Sequence, residues 1–234
     1  MKYPGGKGKC FQQIINILPP HSTYIETHLG GGAVLRNKQR AAYSIGIDKD
    51  AQVISFWRSH LPDLAEFVHA DAVVFLRSYP FQGTELVYCD PPYLPATRKR
   101  NRVYHHDLTE ADHRSLLDVL VSLPCSVVIS GYASGLYDKQ LEHWSKIRFF
   151  AKAHDGLREE CVWFNYSVPE RLHDMRYFGA NYRERQDFKR RMERLRRRIA
   201  RLSLPEQHDL SQWLSAHLDQ RDATYANLHI PQRA

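Results

Sequence analysis

The chain has no apolar run approaching the ~18 residues that a membrane-spanning helix needs, and no short hydrophobic block of the signal-peptide kind near its start. A soluble protein with no membrane partner is therefore expected. Cysteine is sparse: Cys10, Cys89, Cys125 and Cys161 are scattered, with no CxxC pair. That excludes a zinc knuckle and a disulfide framework and points to a reduced, cytoplasmic setting. Internal repeats and low-complexity linkers are absent too, which excludes solenoid arrays. What is in excess is positive charge. Lys and Arg number 33 against 26 Asp and Glu, a formal charge of +7. The 43% hydrophobic share over 234 residues is enough for one sizeable core with a small appendage. The surplus of cations favours an anionic partner such as nucleic acid.

From residue 1 to about 168, short apolar runs alternate with helical patterns. Strands are expected at Thr23–Glu26, Tyr43–Ile47, Phe67–Ala70, Leu86–Cys89, Ser126–Ser130, Ile147–Phe150 and Val162–Tyr166. Helices are expected near 8–18, 33–39, 50–60, 72–78, 109–122 and 136–143. Thr109-Glu110-Ala111-Asp112 reads as a capping box with Asp in place of Glu. Such alternation predicts an α/β fold with a mostly parallel sheet and helices on both faces. The last two runs have no helix between them, so an antiparallel edge hairpin is expected.

The strand ends share one chemistry. The first ends in Glu26 and runs into Gly30-Gly31-Gly32, where a backbone without Cβ atoms lets a ligand approach the start of the next helix. The second ends in Asp48, spaced to grip ribose hydroxyls or to cap the next helix. The third ends near Asp71, placed to reach an adenine or to cap its own helix. The fourth, Leu86-Val87-Tyr88-Cys89, is followed by Asp90-Pro91-Pro92-Tyr93. There a carboxylate, a stiff turn with outward carbonyls and an aromatic face make a holder for a planar amino group. At the N-terminus, Lys2-Tyr3-Pro4-Gly5-Gly6-Lys7 is not a phosphate-binding Walker loop, because no strand precedes it and no Ser or Thr follows the Lys.

These motifs, in this order, resemble the Dam-like (alpha-group) adenine-specific DNA methyltransferases over roughly residues 2–166. The resemblance implies a Rossmann-like methyltransferase fold that binds S-adenosylmethionine (SAM) and transfers its methyl group to the N6 amine of adenine in DNA. It places Tyr3 and Lys7 at the cofactor, Glu26 and Gly30 beside its methionine part, Asp48 on its ribose and Asp71 near its adenine. Asp90 would bridge cofactor and target base. With Pro91, Pro92 and Tyr93 it would form the catalytic tetrad, the Pro91 carbonyl accepting from the amine and Tyr93 stacking on the base. Two departures stand out. The family's Glu-Pro-Phe is here Glu26-Thr27-His28, and only 18 residues, 72–89, separate Asp71 from Asp90, so the family's usual target-recognition insert is missing. A short or relaxed recognition sequence is expected. An RNA or protein-glutamine methyltransferase, and a silent nucleic-acid-binding relative, are the alternatives. No nuclease module is present, so any restriction partner would be a separate chain.

Nucleic-acid contacts are expected from Arg98, Lys99, Arg100 and Arg102, which interleave with Asn101 and Tyr104 just after the tetrad. A second basic surface is expected in a helical extension, 169–234. Residues 176–201 hold ten Arg and one Lys against three acids. Arg190, Arg194, Arg197 and Arg201 form one stripe, and Phe188, Met192, Leu195, Ile199 and Leu202 an apolar one. Ser203 and Pro205 open a second helix, with Leu210, Trp213, Leu214, His217 and Leu218 on one face. The last dozen residues are expected to fray. His105-His106-Asp107 lacks a third ligand, so no metal is expected. The expected assembly is a monomer or homodimer, bacterial or phage-encoded and nucleoid-associated.

Overall fold

The structure, a computed structural model, describes residues 7–8, 10–97, 107–153 and 156–228. Seven strands, β1 (Thr23–Thr27), β2 (Tyr43–Asp48), β3 (Glu66–His69), β4 (Glu85–Cys89), β5 (Ser126–Gly131), β6 (Ser145–Ala153) and β7 (Gly156–Phe164), form one sheet. Their order is β3-β2-β1-β4-β5-β7-β6. The first five run parallel. β7 enters antiparallel between β5 and β6. The sheet reverses direction of build between β1 and β4, and open α/β folds form ligand clefts at such a point, beyond the strands' carboxyl ends.

Helices α1 (Phe11–Ile15), α2 (Ala33–Asn37) and α3 (Ala51–His60) pack on one face. Helices α4 (Ala72–Ser78), α5 (Glu110–Ser122) and α6 (Gly135–Gln140) pack on the other. The alternation of strand side chains decides this partition. In β1, Tyr24 joins the cluster of Ile14, Val34 and Trp57, while its neighbour Ile25 joins that of Val87, Leu116 and Leu120. Caps start several helices. Asp50 accepts from Gln52 N, Asp71 from Val73 N and Val74 N, and Thr109 and Asp112 close the expected capping box.

Several boundaries differ from the sequence reading. The first helix is one short segment, Phe11–Ile15, rather than 8–18. β6 and β7 form nine-residue arms, from Ser145↔Phe164 to Ala153↔Gly156. Part of these arms is exposed, as at Phe150, so no unbroken apolar pattern marked it. The hairpin lies at one edge, as expected, but β7 itself is interior.

The chain divides into two compact units, Met1–Phe178 and Gly179–Ala234. The boundary lies ten residues beyond the expected 168. The amide of His173 donates to Leu18 O at 2.9 Å, and the fully buried Asp174 accepts from Gln39 N at 2.8 Å and from Arg176. These bonds tie the stretch before Phe178 to the first unit. The second unit holds α7 (Tyr182–Ile199) and α8 (Leu204–Leu228). Asn181 caps α7, and Ser203 precedes α8 with Glu206 returning to its amide at 2.7 Å. On α7, Phe188, Met192 and Ile199 are half-buried, while Arg190, Arg194 and Arg197 are exposed. Helix α8 extends to Leu228, into the stretch expected to fray.

Candidate active site

One cleft opens at the carboxyl rim where β1 and β4 meet. It is lined by Lys7, Glu26, His28, the loop Gly30–Gly32, Asp48, Lys49, Asp71, Tyr88 and Asp90–Tyr93, among others. Of the residues read as functional in sequence, Lys7, Glu26, Gly30, Asp48, Asp71, Asp90, Pro91, Pro92 and Tyr93 thus meet around a single space. Tyr3, Arg98, Lys99, Arg100 and Arg102 lie outside the described residues, as do His105 and His106. Arg190, Arg194 and Arg197 belong to the second unit.

The glycine loop is held from below. Trp57 donates its indole N–H to Gly30 O at 2.9 Å. Gly32 has φ +52°, and a Cβ there would stand 2.8 Å from the Trp57 ring. A side chain would be strained in both conformation and space. Asp48 holds the loop from the other side, accepting from Gly30 N and from Asp50 N, each at 2.8 Å. Its helix-side role is therefore an amide bond to Asp50, while Asp50 itself is the cap of α3. Asp71 caps α4, pairs with Lys49 at 3.3 Å and also lines the cleft. Burial pushes the Asp71 carboxyl up, but the amides of Val74 and Val73 and the Lys49 ammonium hold it below its ordinary value.

Two carboxylates share a pattern. Glu26 accepts on Oε2 from Tyr24 O–H at 2.8 Å and from Leu35 N at 2.7 Å. Its Oε1 takes no hydrogen bond from the described residues. Burial raises its carboxyl to about 8, against the lowering effect of those two donors. Asp90 accepts on Oδ1 from Ser130 Oγ at 2.7 Å and pairs through the same oxygen with Lys7 Nζ at 2.6 Å. Its Oδ2 is likewise without a donor among the described residues. In each case one oxygen is anchored by the described residues, and the side chain lines the cleft.

Behind the tetrad lies a buried polar network. Tyr93 O–H accepts from Lys7 Nζ at 2.9 Å and donates to Glu160 Oε1 at 2.7 Å. One face of the Tyr93 ring stacks on Tyr132 at 3.9 Å and 13°. That face is therefore taken by Tyr132, which narrows the expected aromatic platform. Burial lowers the Lys7 ammonium, but Asp90, Tyr93 and Glu160 overcome this and raise it well above its ordinary value. Burial likewise keeps the Tyr93 hydroxyl protonated.

Ser130, Tyr132 and Glu160 were not singled out in sequence. Ser130 stands beside Asp90 because β5 pairs with β4 with Cys89 opposite Ile129, and Glu160 arrives because β7 inserts next to β5. A strand order assumed in advance would have pointed to Ser130; nothing local marks Glu160. His28 stands where the Glu-Pro-Phe loop it was compared with has Phe. It has φ +57°, the only non-glycine with positive φ among the described residues, and lines the cleft. Burial lowers its imidazole to about 4, so it is neutral at physiological pH. No group of three or more metal-ligating side chains occurs among the described residues.

With this geometry in view, known proteins give three comparisons. The family model of the D12 class N6 adenine-specific DNA methyltransferases matches residues 54–155, a stretch that contains Asp71 and the tetrad. A search of the curated proteins finds no match. Among solved structures, M. capricolum TrmK in complex with S-adenosyl-homocysteine is 9% identical with a TM-score of 0.45, covering 91% of this chain and 96% of that one. An rRNA methylase from Streptococcus thermophilus is 14% identical with a TM-score of 0.46, over 70% and 97%. A dimethyladenosine transferase from Plasmodium falciparum is 12% identical with a TM-score of 0.45, over 70% and 62%. The functional reading rests on the site and the family match, not on these likenesses.

Strand order and cleft define a class of fold, a Rossmann-like sheet of the kind that SAM-dependent methyltransferases use, and over residues 54–155 the chain is similar to the D12 class N6 adenine-specific DNA methyltransferases. The cleft's lining fits SAM: it combines a glycine loop with acids on successive strand ends.

Proposed function

We propose that the protein transfers the methyl group of SAM to the exocyclic N6 amine of adenine in DNA, with Asp90 as the residue that engages the amine. The observation that carries this reading is the anchoring of Asp90 through Oδ1, by Ser130 and Lys7, at the cleft wall it shares with Pro91 and Tyr93, with no donor to Oδ2 among the described residues. The family match over 54–155 supports it.

An adenine amine is a weak nucleophile because its lone pair is delocalised into the ring. SAM supplies an electrophilic methyl group on a sulfonium. Asp90 Oδ2 and the Pro91 carbonyl accept the two N–H bonds, which favours the pyramidal nitrogen whose lone pair points outward. Nitrogen gains the methyl group as the methyl's bond to the sulfonium breaks; the Asp90 carboxylate stabilises the positive charge on nitrogen without reorganising, because Ser130 and Lys7 already fix its plane, and the extra proton then leaves the nitrogen for solvent. Tyr93 holds the base once it has left the stack, and this alignment contributes the proximity effect. Glu26 Oε1 is in place for the ammonium of the cofactor's methionine part, Asp48 and the Gly30 backbone flank its ribose, and Asp71 its adenine; Tyr3 and Lys7 complete the cofactor set.

The basic residues read as DNA contacts are Arg98, Lys99, Arg100 and Arg102 near the tetrad, and Arg190, Arg194 and Arg197 on α7. Phosphate contacts of this kind give affinity without sequence information. The short link from Asp71 to Asp90 supports a short or relaxed target.

The test is transfer from labelled SAM to unmethylated genomic DNA, with wild type and Asp90→Ala in parallel and modified bases mapped by sequencing. N6-methyladenine from wild type, reduced at least about a thousandfold in Asp90→Ala, is expected. An Asp90→Ala enzyme with near-normal turnover rejects this mechanism. Transfer to RNA or protein in place of DNA rejects the substrate and keeps the chemistry.

A further inference from the structure

Glu160 is 5% exposed on β7, with no assigned role in the chemistry above. Its Oε1 accepts from Tyr93, but its buried Oε2 takes no hydrogen bond and stands 3.7 Å from Lys7 Nζ. Leaving a buried carboxylate oxygen without a donor is costly, and a glutamine or apolar side chain would fill the same space more cheaply. The position therefore calls for a reason that is electrical.

Formal charges supply it. Asp90 and Glu160 carry one negative charge each, and Lys7 carries the single buried positive charge between them. The cluster is left with one negative charge in excess. Among the described residues, the neighbouring titratable groups Cys10 and Tyr88 do not cancel it. The Cys10 thiol is pushed up to about 12 by burial and the Tyr88 hydroxyl is raised by burial too, so both stay neutral. Lys7, Asp90 and Tyr93 line the cleft, and Glu160 touches Lys7 and Tyr93 from behind.

We infer that Glu160 is a positioning residue whose charge, passed to the cleft through Lys7 and Tyr93, makes the site prefer the cationic methyl donor to its neutral thioether product. This rests on the methyltransferase reading. SAM and S-adenosylhomocysteine (SAH) differ by one methyl group and one positive charge. In a cleft with an excess negative charge the donor is held by an attraction that vanishes when the methyl group leaves. Transfer itself thus loosens the spent cofactor.

The experiment is calorimetric titration of SAM and of SAH into wild type, Glu160→Gln, Glu160→Asp and Glu160→Leu, after thermal melts of each. The readout is the ratio of the two affinities. Glu160→Gln is expected to lower the SAM-to-SAH ratio about tenfold by removing one charge at short range. Glu160→Asp is expected to keep the wild-type ratio. Glu160→Leu, which removes the same charge and the unpaired oxygen with it, is expected to lower the ratio as Glu160→Gln does. A ratio unchanged in Glu160→Gln, with both ligands weakened equally, overturns the inference and makes Glu160 merely structural. If Glu160→Gln does not fold, Glu160→Leu carries the test, and a wild-type ratio there overturns the charge account. If wild type binds neither ligand, the methyltransferase reading falls and takes this inference with it.

Discussion

At the scale of single residues, the site works by anchoring one oxygen of each carboxylate. Ser130 anchors Asp90 at 2.7 Å from a position with no solvent access. Ser130→Ala removes one charge-assisted bond, worth about 1.5–3 kcal/mol, so turnover is expected to fall about ten- to a hundredfold. SAM affinity measured by calorimetry should stay near wild type, because Lys7 still holds the same oxygen. Glu26 makes a second prediction, through pH. Its folded value of about 8 lies above its ordinary one, so the folded chain keeps a proton that the unfolded chain has lost. Stability should therefore decline as pH rises from the ordinary carboxylate range towards 8. If Glu26 receives the cofactor ammonium as a carboxylate, SAH affinity should rise about tenfold per pH unit below 8. Calorimetry in buffers of different ionisation enthalpy should show the released proton; a pH-independent affinity would remove Glu26 from the cofactor site.

At the scale of elements, the loop from β1 to α2 carries the cofactor side. Gly32 combines φ +52° with a Trp57 ring 2.8 Å from where a Cβ would stand. Gly32→Ala is expected to cost about 1–3 kcal/mol of stability and to weaken SAM binding, since the amides of the loop and of the α2 start must shift together. Denaturant unfolding and calorimetry on the same variant check the two effects. A Gly32→Ala chain as stable as wild type, with unchanged SAM affinity, would mean that the loop tolerates a Cβ. The element types themselves were legible in sequence. Every apolar run read as a strand is one, and Thr109 with Asp112 closes the expected capping box. Boundaries were less legible where exposure hides the pattern, as in the β6–β7 arms.

At the scale of the whole molecule, both buried clusters and the entire sheet fall within Met1–Phe178. A chain ending at Phe178 is expected to fold cooperatively and to bind SAM with wild-type affinity. It should lose DNA affinity and show a flatter dependence on salt, because the arginines of α7 are gone. Fluorescence anisotropy with labelled duplex DNA between low and moderate salt reads this directly; an unchanged salt slope would rule out a DNA role for α7.

The sequence by itself determined what depends on near neighbours. Apolar runs, caps and the glycine loop act over a few residues, so strands, helix starts and the rim of Glu26, Asp48, Asp71 and Asp90 were readable before any fold was known. Tertiary structure alone decided what depends on strand order. β5 beside β4 brings Ser130 to Asp90, and β7 inserted next to β5 brings Glu160 to Lys7 and Tyr93. Ser130 and Asp90 are 40 residues apart in sequence, and Tyr93 and Glu160 are 67 apart. No local propensity encodes such pairings; they follow from burying two sheet faces at once, and with them comes which oxygen of each acid is anchored.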